Sequence, residues 1–210
     1  MKLYDFGPAA NGQRVRVFLA EKGITLPSTE LNVREGHQFK EPFSRLNPFH
    51  CVPFLELDDG TVISESISIC RYLEELNPEP SLFGRDAAER ATIDMWNRRL
   101  ELDGFMPILH AVRNHLPNFK GRVVPGTRTD LTQLPAMVER GKEMLEILLS
   151  RLEPQMAKSE FIAGPRVSVA DITGYFMINM AQKLDMDIES RYPNIHRWHK
   201  AFAARPSTQL

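Results

Sequence analysis

No convincing strand pattern appears after residue 76, and that absence constrains the fold of these 210 residues more than any other feature. Before it, segments of period 2 and period 3.6 alternate. KLYDF, residues 2–6, reads as a strand. Residues 11–23 place Val15, Phe18 and Leu19 at i, i+3 and i+4, one face of a helix, and Gly23 stops that helix. ITLPSTELNV is a second strand region, weakened by Pro27. PFLEL and TVIS are short strands joined by the turn DDG. From Ser66 to Leu76, the residues Ile69, Tyr72, Leu73 and Leu76 again trace one helical face. The first part therefore runs βαβ, then ββα. NPEPSLFGRD, residues 77–86, reads as a linker because proline and glycine punctuate it. Beyond it only helical periodicities remain. A long helix covers 87 to about 116 and is broken by PNFKGRVVPGT. Further helices run from about 130 to 153, from 169 to about 183 and from 193 to about 204. The chain divides into an α/β part at 1–77, a linker at 78–87 and an all-helical part at 88–210.

Composition excludes several classes of function. The formal net charge is −1, which gives no electrostatic reason to expect nucleic acid or an anionic membrane as partner. No apolar run approaches the roughly 20 residues that span a bilayer, and the N-terminus does not read as a signal peptide. A cytoplasmic protein is expected. Cys51 and Cys70 have no CxxC or metal-type spacing, so reduced thiols and no metal site are expected. His196 and His199 have no acidic or cysteine ligand beside them and read as surface residues rather than ligands.

Two local signals stand out. Ser168 and Asp171 have the spacing of a capping box, so Asp171 reads as a folding residue. In LNPFHCVPFLELDDGTVISES, Pro53 stands at the start of a strand, where a missing donor is tolerated. The N–H and C=O of Val52 are then released from ladder duty and could pair with an extended peptide across a cis Val52–Pro53 bond. Glu65 and Ser66 open a helix whose first N–H groups and positive dipole end suit a carboxylate. Ser66 adds a donor, and Glu65 could pair with an ammonium. The alternative is that Ser64, Glu65 and Ser66 merely cap the helix.

Taken together, the motifs resemble those of the cytosolic glutathione S-transferases, almost end to end. The likeness rests on KLYDFGPAANGQRVRVFLAEKGI, on NP-x-x-x-VP-x-L, on DDG followed by ES-x-x-I, on the Pro-rich linker, on S-x-AD and on W-x-x-x-x-x-x-RPS. It implies a thioredoxin-like N-terminal domain, an all-helical C-terminal domain, a homodimer, and glutathione bound as substrate on the first domain. Carried onto this chain, the family pattern pairs the Val52 backbone, beside cis Pro53, with the cysteinyl unit. It gives Glu65 and Ser66 the γ-glutamyl end. Gln38 or His37, and His50, fall near the glycyl end, with Gln38 preferred.

In this family the turn before the first helix supplies the group that faces the glutathione sulfur. The usual hydroxyl position is Ala9 here, which can do nothing. The candidates that remain are the Asn11 side-chain NH₂ and the backbone N–H groups of Gly12 and Gln13. The P-x-NG form resembles the nu-class branch, where asparagine occurs at this place. Asn11 can equally be a plain helix N-cap. Tyr4 lies inside a strand and reads as core.

The resemblance implies a glutathione transferase with a detoxification role, which lowers the thiol pKa and lets the thiolate attack an apolar electrophile in the interdomain cleft. The alternatives are a glutathione-dependent disulfide reductase or peroxidase, or a non-enzymatic assembly domain of the same fold. Met106, His110 and Arg113, at i, i+4 and i+7, are expected to line the electrophile pocket, and Arg113 to tolerate an anionic co-substrate. Phe49, an aromatic in an exposed loop, is expected to insert as a key into a partner subunit; its alternative is to fold back onto its own domain.

Overall fold

The computed structural model describes residues 1–209, and the chain forms two compact units. The first comprises Met1–Pro80 together with Pro125–Arg128; the second comprises Ser81–Val124 and Thr129–Gln209.

The first unit is built on a four-stranded mixed sheet in the order β2-β1-β3-β4. β1 (Lys2–Asp5) pairs parallel with β2 (Ser28–Glu30) and antiparallel with β3 (Phe54–Glu56), which pairs antiparallel with β4 (Val62–Ser64). A parallel pair needs a crossover, and α1 (Ala10–Lys22) supplies it. Its Val15, Val17, Phe18 and Leu19 are buried, and Gly23 ends it at φ 66°, in the left-handed region. α1 packs against α3 (Ser66–Leu76). The Lys22 ammonium is buried here and donates to Glu74 on α3 at 2.7 Å and to the Pro80 carbonyl at 2.7 Å. The Tyr4 ring stacks on Phe54 at 4.7 Å. This is the thioredoxin-like arrangement.

Strand register sets where the chain leaves the sheet. Asp5 stands opposite Glu30, Tyr4 opposite Phe54, and Phe54 opposite Ser64. The chain leaving β1, the chain leaving β2, the chain entering β3 and the chain leaving β4 therefore all lie at one end of the sheet.

The second unit is helical. Asp86 caps α4 (Ala87–Arg99), accepting from the Glu89 N–H at 2.9 Å. α4 passes through a π-helical stretch, Leu100–Phe105, into α5 (Met106–His115). The sequence predicts one unbroken helix here. At Gly104 a Cβ would stand 2.3 Å from the Met177 sulfur and 2.6 Å from Leu148 Cδ2, so neighbouring side chains occupy the space of any larger residue. α6 is Pro135–Met156. It starts later than the sequence pattern placed it, because Gln133 and Leu134 bind other groups. The Gln133 side chain donates to the Arg113 and Leu116 carbonyls at 3.0 and 2.8 Å, and the Leu134 N–H donates to Asn114 at 2.9 Å.

α7 (Val169–Gln182) begins at the anticipated Ser168–Asp171 capping box. Asp171 is fully buried and accepts from the Ile162 N–H, the Ser168 N–H, the Ser168 hydroxyl and the Trp198 indole, each at 2.9 Å. Burial pushes its carboxyl up to about 6 in spite of these bonds. A short helix the sequence did not reveal, α8 (Ile188–Arg191), precedes α9 (Pro193–Ala203). Ile195, Trp198 and Phe202 form the buried face of α9. His199 corrects an expectation. It is not a surface residue but core, stacked on Tyr175 at 5.1 Å, with Nε2 2.7 Å from Asn179 Oδ1. Burial lowers its pKa to about 4, with His196 adding to the effect. Among the described residues no helix is long and apolar enough to cross a membrane.

Candidate functional site

Three of the expected segments meet at the sheet end where β1, β3 and β4 open onto it. The Val52–Pro53 peptide is cis. Among the described residues neither the N–H nor the C=O of Val52 has a hydrogen-bond partner. Because Phe54 pairs with Ser64, the chain entering β3 runs beside the chain that turns from β4 into α3. Glu65 makes that turn at φ 70°. For a residue other than glycine such a conformation costs on the order of 1–3 kcal/mol. Glu65 occupies the N-cap position of α3, and its side chain makes no capping bond there. Ser66 is 4% exposed and opens the helix, where the N–H groups of the first turn have no partner within the helix.

The turn after β1 departs from expectation. Asn11 is not the N-cap of α1. Ala9 occupies that place, with φ −81° and ψ 125°, and contributes no side-chain bond. Asn11 sits inside the first turn, and the Arg14 guanidinium donates to its Oδ1 at 3.3 Å. Arginine can only donate, so the oxygen faces Arg14 and the amide NH₂ is left for another acceptor. The Gln13 N–H, by contrast, is not available, because it bonds the Ala9 carbonyl at 3.0 Å. The helix starts earlier than the sequence pattern placed it, which moves the open donors back by one residue. Beneath the turn, buried Asp5 takes two bonds from Arg16, at 2.5 and 2.9 Å. Tyr4 donates to Glu56 at 2.7 Å, and burial with this bond pushes its hydroxyl up to about 12. It is a core residue.

β2 leads to a short 3-10 turn at His37–Phe39. His37 Nε2 lies 3.1 Å from Glu35. Gln38 is 8% exposed, and its Oε1 is buried without a hydrogen-bond partner. A buried amide oxygen left so is costly unless a ligand satisfies it. His50 stands at φ 53°, with its ring 4.9 Å from Phe39. A shallow pocket of about 390 Å³ opens between Phe39, His50, Gly126, Thr127 and Arg128. Sequence reading missed the last three. The glycine in VVPGTR was the one available signal, and it reads there only as a helix breaker.

In the second unit Met106, His110 and Arg113 share α5. The Arg113 guanidinium donates to the Val123 carbonyl at 2.9 Å and to the Arg122 carbonyl, and lies 4.6 Å over Phe119. It clamps the loop that follows α5. Phe49 is 73% exposed; it does not fold back onto its own unit.

Known proteins resemble this chain over nearly its whole length. Residues 10–76 match the family model described as "Glutathione S-transferase, N-terminal domain", and residues 112–206 match "Glutathione S-transferase, C-terminal domain". Maleylacetoacetate isomerase of Rattus norvegicus is 30% identical, over 99% of this chain and 90% of its own. The crystal structure of a glutathione S-transferase of class Gtt2 from Vibrio parahaemolyticus superposes with a TM-score of 0.84 at 37% identity, covering 100% of this chain and 96% of that one. A glutathione S-transferase domain-containing protein of Marinobacter aquaeolei VT8 gives 0.90 at 33% identity, covering 99% of this chain and 100% of that one.

Proposed function

The chain belongs to the glutathione S-transferase family, and on that premise we propose how its residues hold glutathione and activate the thiol. The observation that carries the reading is the register at the end of the sheet. Phe54 opposite Ser64 sets the unpartnered backbone of Val52 beside the mouth of α3. An extended tripeptide laid there pairs its cysteinyl unit with the Val52 N–H and C=O next to Pro53. Its γ-glutamyl carboxylate meets the Ser66 hydroxyl and the first N–H groups of α3, and its ammonium meets Glu65. Gln38 and His50 serve the glycyl end.

The chemistry follows from the thiol. An unperturbed thiol titrates near 8.5, and the thiolate is the nucleophile. The Asn11 NH₂, held by Arg14, and the positive end of α1 favour the anion over the thiol. No hydroxyl donor is required at Ala9 when the anion is stabilised in this way. The activity is glutathione-dependent transfer to an apolar electrophile, with Met106, His110 and Arg113 on α5 as the candidates for contact with it. Transfer is favoured over disulfide reduction by the similarity to proteins named as glutathione S-transferases. The protein acts in the cytoplasm as a homodimer, with Phe49 as the contact between copies; an aromatic side chain so exposed on a loop is what such a contact needs.

Calorimetry tests the reading. Ser66→Ala should weaken glutathione binding by about 1.5–3 kcal/mol, the usual worth of a hydrogen bond to a charged group. Unchanged affinity would remove the γ-glutamyl site from α3.

A further inference from the structure

The pocket beside His50 has one wall from a distant part of the chain. Pro125–Arg128 belongs to the first unit although it follows α5 in sequence. Gly126 docks it. At φ 71°, a Cβ there would stand 2.1 Å from the Phe49 carbonyl oxygen and 2.9 Å from Cys51 Sγ. Only glycine fits both the conformation and the space. The strap thus lies against the loop that leads into Val52 and Pro53. Two residues on, the Arg128 guanidinium lies 4.4 Å over the Phe39 ring, which holds it where the two residues line the pocket. Among the described residues no carboxylate is paired with it, whereas Arg16, Arg166 and Arg191 each have one.

An arginine held over an aromatic wall, in a pocket that His50 also lines and that no carboxylate of the protein lines, is arranged to take a carboxylate from a ligand. We infer that the strap makes Arg128 a specificity-determining residue, which binds the glycyl carboxylate of glutathione in the pocket it shares with His50. The inference rests on the placement of glutathione above and adds what that placement does not supply: a cation for the tripeptide's third charge. Arg128 would then distinguish glutathione from peptides whose C-terminal charge is blocked.

The ligand itself can be edited to test this. Glutathione and its glycyl monoethyl ester differ in that charge and in one ethyl group, and the Arg128→Ala variant separates the two effects. By calorimetry the parent should bind glutathione about tenfold more tightly than the ester, the size of one charge-assisted hydrogen bond at an exposed site. Arg128→Ala should abolish most of that preference by weakening glutathione alone, leaving affinity for the ester unchanged. Gly126→Ala, which keeps the arginine but displaces the strap, should lose the same preference; thermal melts check that both variants fold. Equal preference in parent and Arg128→Ala would overturn the inference, as would equal weakening of both ligands. Preference retained in Gly126→Ala would overturn the strap's part in it. Should Arg128→Ala instead raise only the KM of an anionic electrophile, the carboxylate belongs to the co-substrate and the assignment to glutathione is wrong. These results differ from failure of the underlying site, which would show as no effect of Ser66→Ala on either ligand.

Discussion

His199 and Asp171 make opposite demands on pH, and the helical unit should therefore be insensitive to acid over a range where either alone would destabilise or stabilise it. His199 takes a proton near 6.5 in the unfolded chain but only near 4 in the folded one, because burial disfavours the imidazolium. Its contribution to stability is complete above pH 6.5 and is lost as pH falls toward 4. At roughly 1.4 kcal/mol per pH unit this amounts to about 3 kcal/mol. Asp171 runs the other way. Its folded value of about 6 lies above the ordinary 3.8. Its contribution is complete below 3.8 and is lost as pH rises through 6, again about 3 kcal/mol. Between pH 4 and 6 the two slopes cancel. His199→Gln keeps a donor for Asn179 but removes the titration. Relative to the parent, its unfolding free energy should rise by about 3 kcal/mol between pH 7 and pH 4. Urea unfolding followed by tryptophan fluorescence reads this directly, since Trp96 and Trp198 both lie in the helical unit. A difference between parent and variant that changes by less than about 0.5 kcal/mol across that range would refute the burial argument. The flat profile also has a use: a pH–rate curve on the parent reports the bound thiol rather than unfolding.

Other outcomes follow from the same structure. Asn11→Ala should raise the pKa of the bound thiol and lower turnover roughly tenfold to a hundredfold with little change in glutathione affinity; an unshifted thiolate absorbance titration would leave Asn11 no role at the sulfur. Phe49→Ala removes two equivalent contacts from a two-fold dimer, about 4 kcal/mol in all and roughly a thousandfold in association; sedimentation showing the variant dimeric at the parent's concentrations would reject the key. Lys22→Met leaves the Glu74 carboxylate without its ammonium and should cost about 3–5 kcal/mol, most of it recovered in Lys22→Met/Glu74→Leu, as chemical denaturation would show.

What the sequence made legible was local. The Ser168–Asp171 box needs only a four-residue window, and Gly23 and the helix at Ser66–Leu76 are set by their own spacing. Strand register brought together residues that the motifs had already singled out. Non-local packing was hidden. Asparagine outranks alanine as an N-cap, yet the backbone places Ala9 there and turns Asn11 toward Arg14. His199 looked like a surface residue because its burial depends on Tyr175 and Asn179, some twenty positions away. Gln38 could be picked out beside His37, but its unsatisfied oxygen could not. Arg113 gave no sign of the loop carbonyls that occupy it. Gly126 broke a helix in the sequence pattern; that it also fills a gap against Phe49 and Cys51 needed the fold.

The strap has a consequence for recombining such proteins. A crossover drawn at Pro80 would exchange the whole sheet between two parents yet leave Gly126 and Arg128 with the other half. The chimera would inherit Phe39 and His50 from one ancestor and the facing wall from another. Its loop at 49–51 would meet whatever residue the second parent carries in place of Gly126. Shuffled libraries should therefore move residues 125–128 with the first eighty, and substitutions that survive at 126 should be found only alongside changes at 49 to 51.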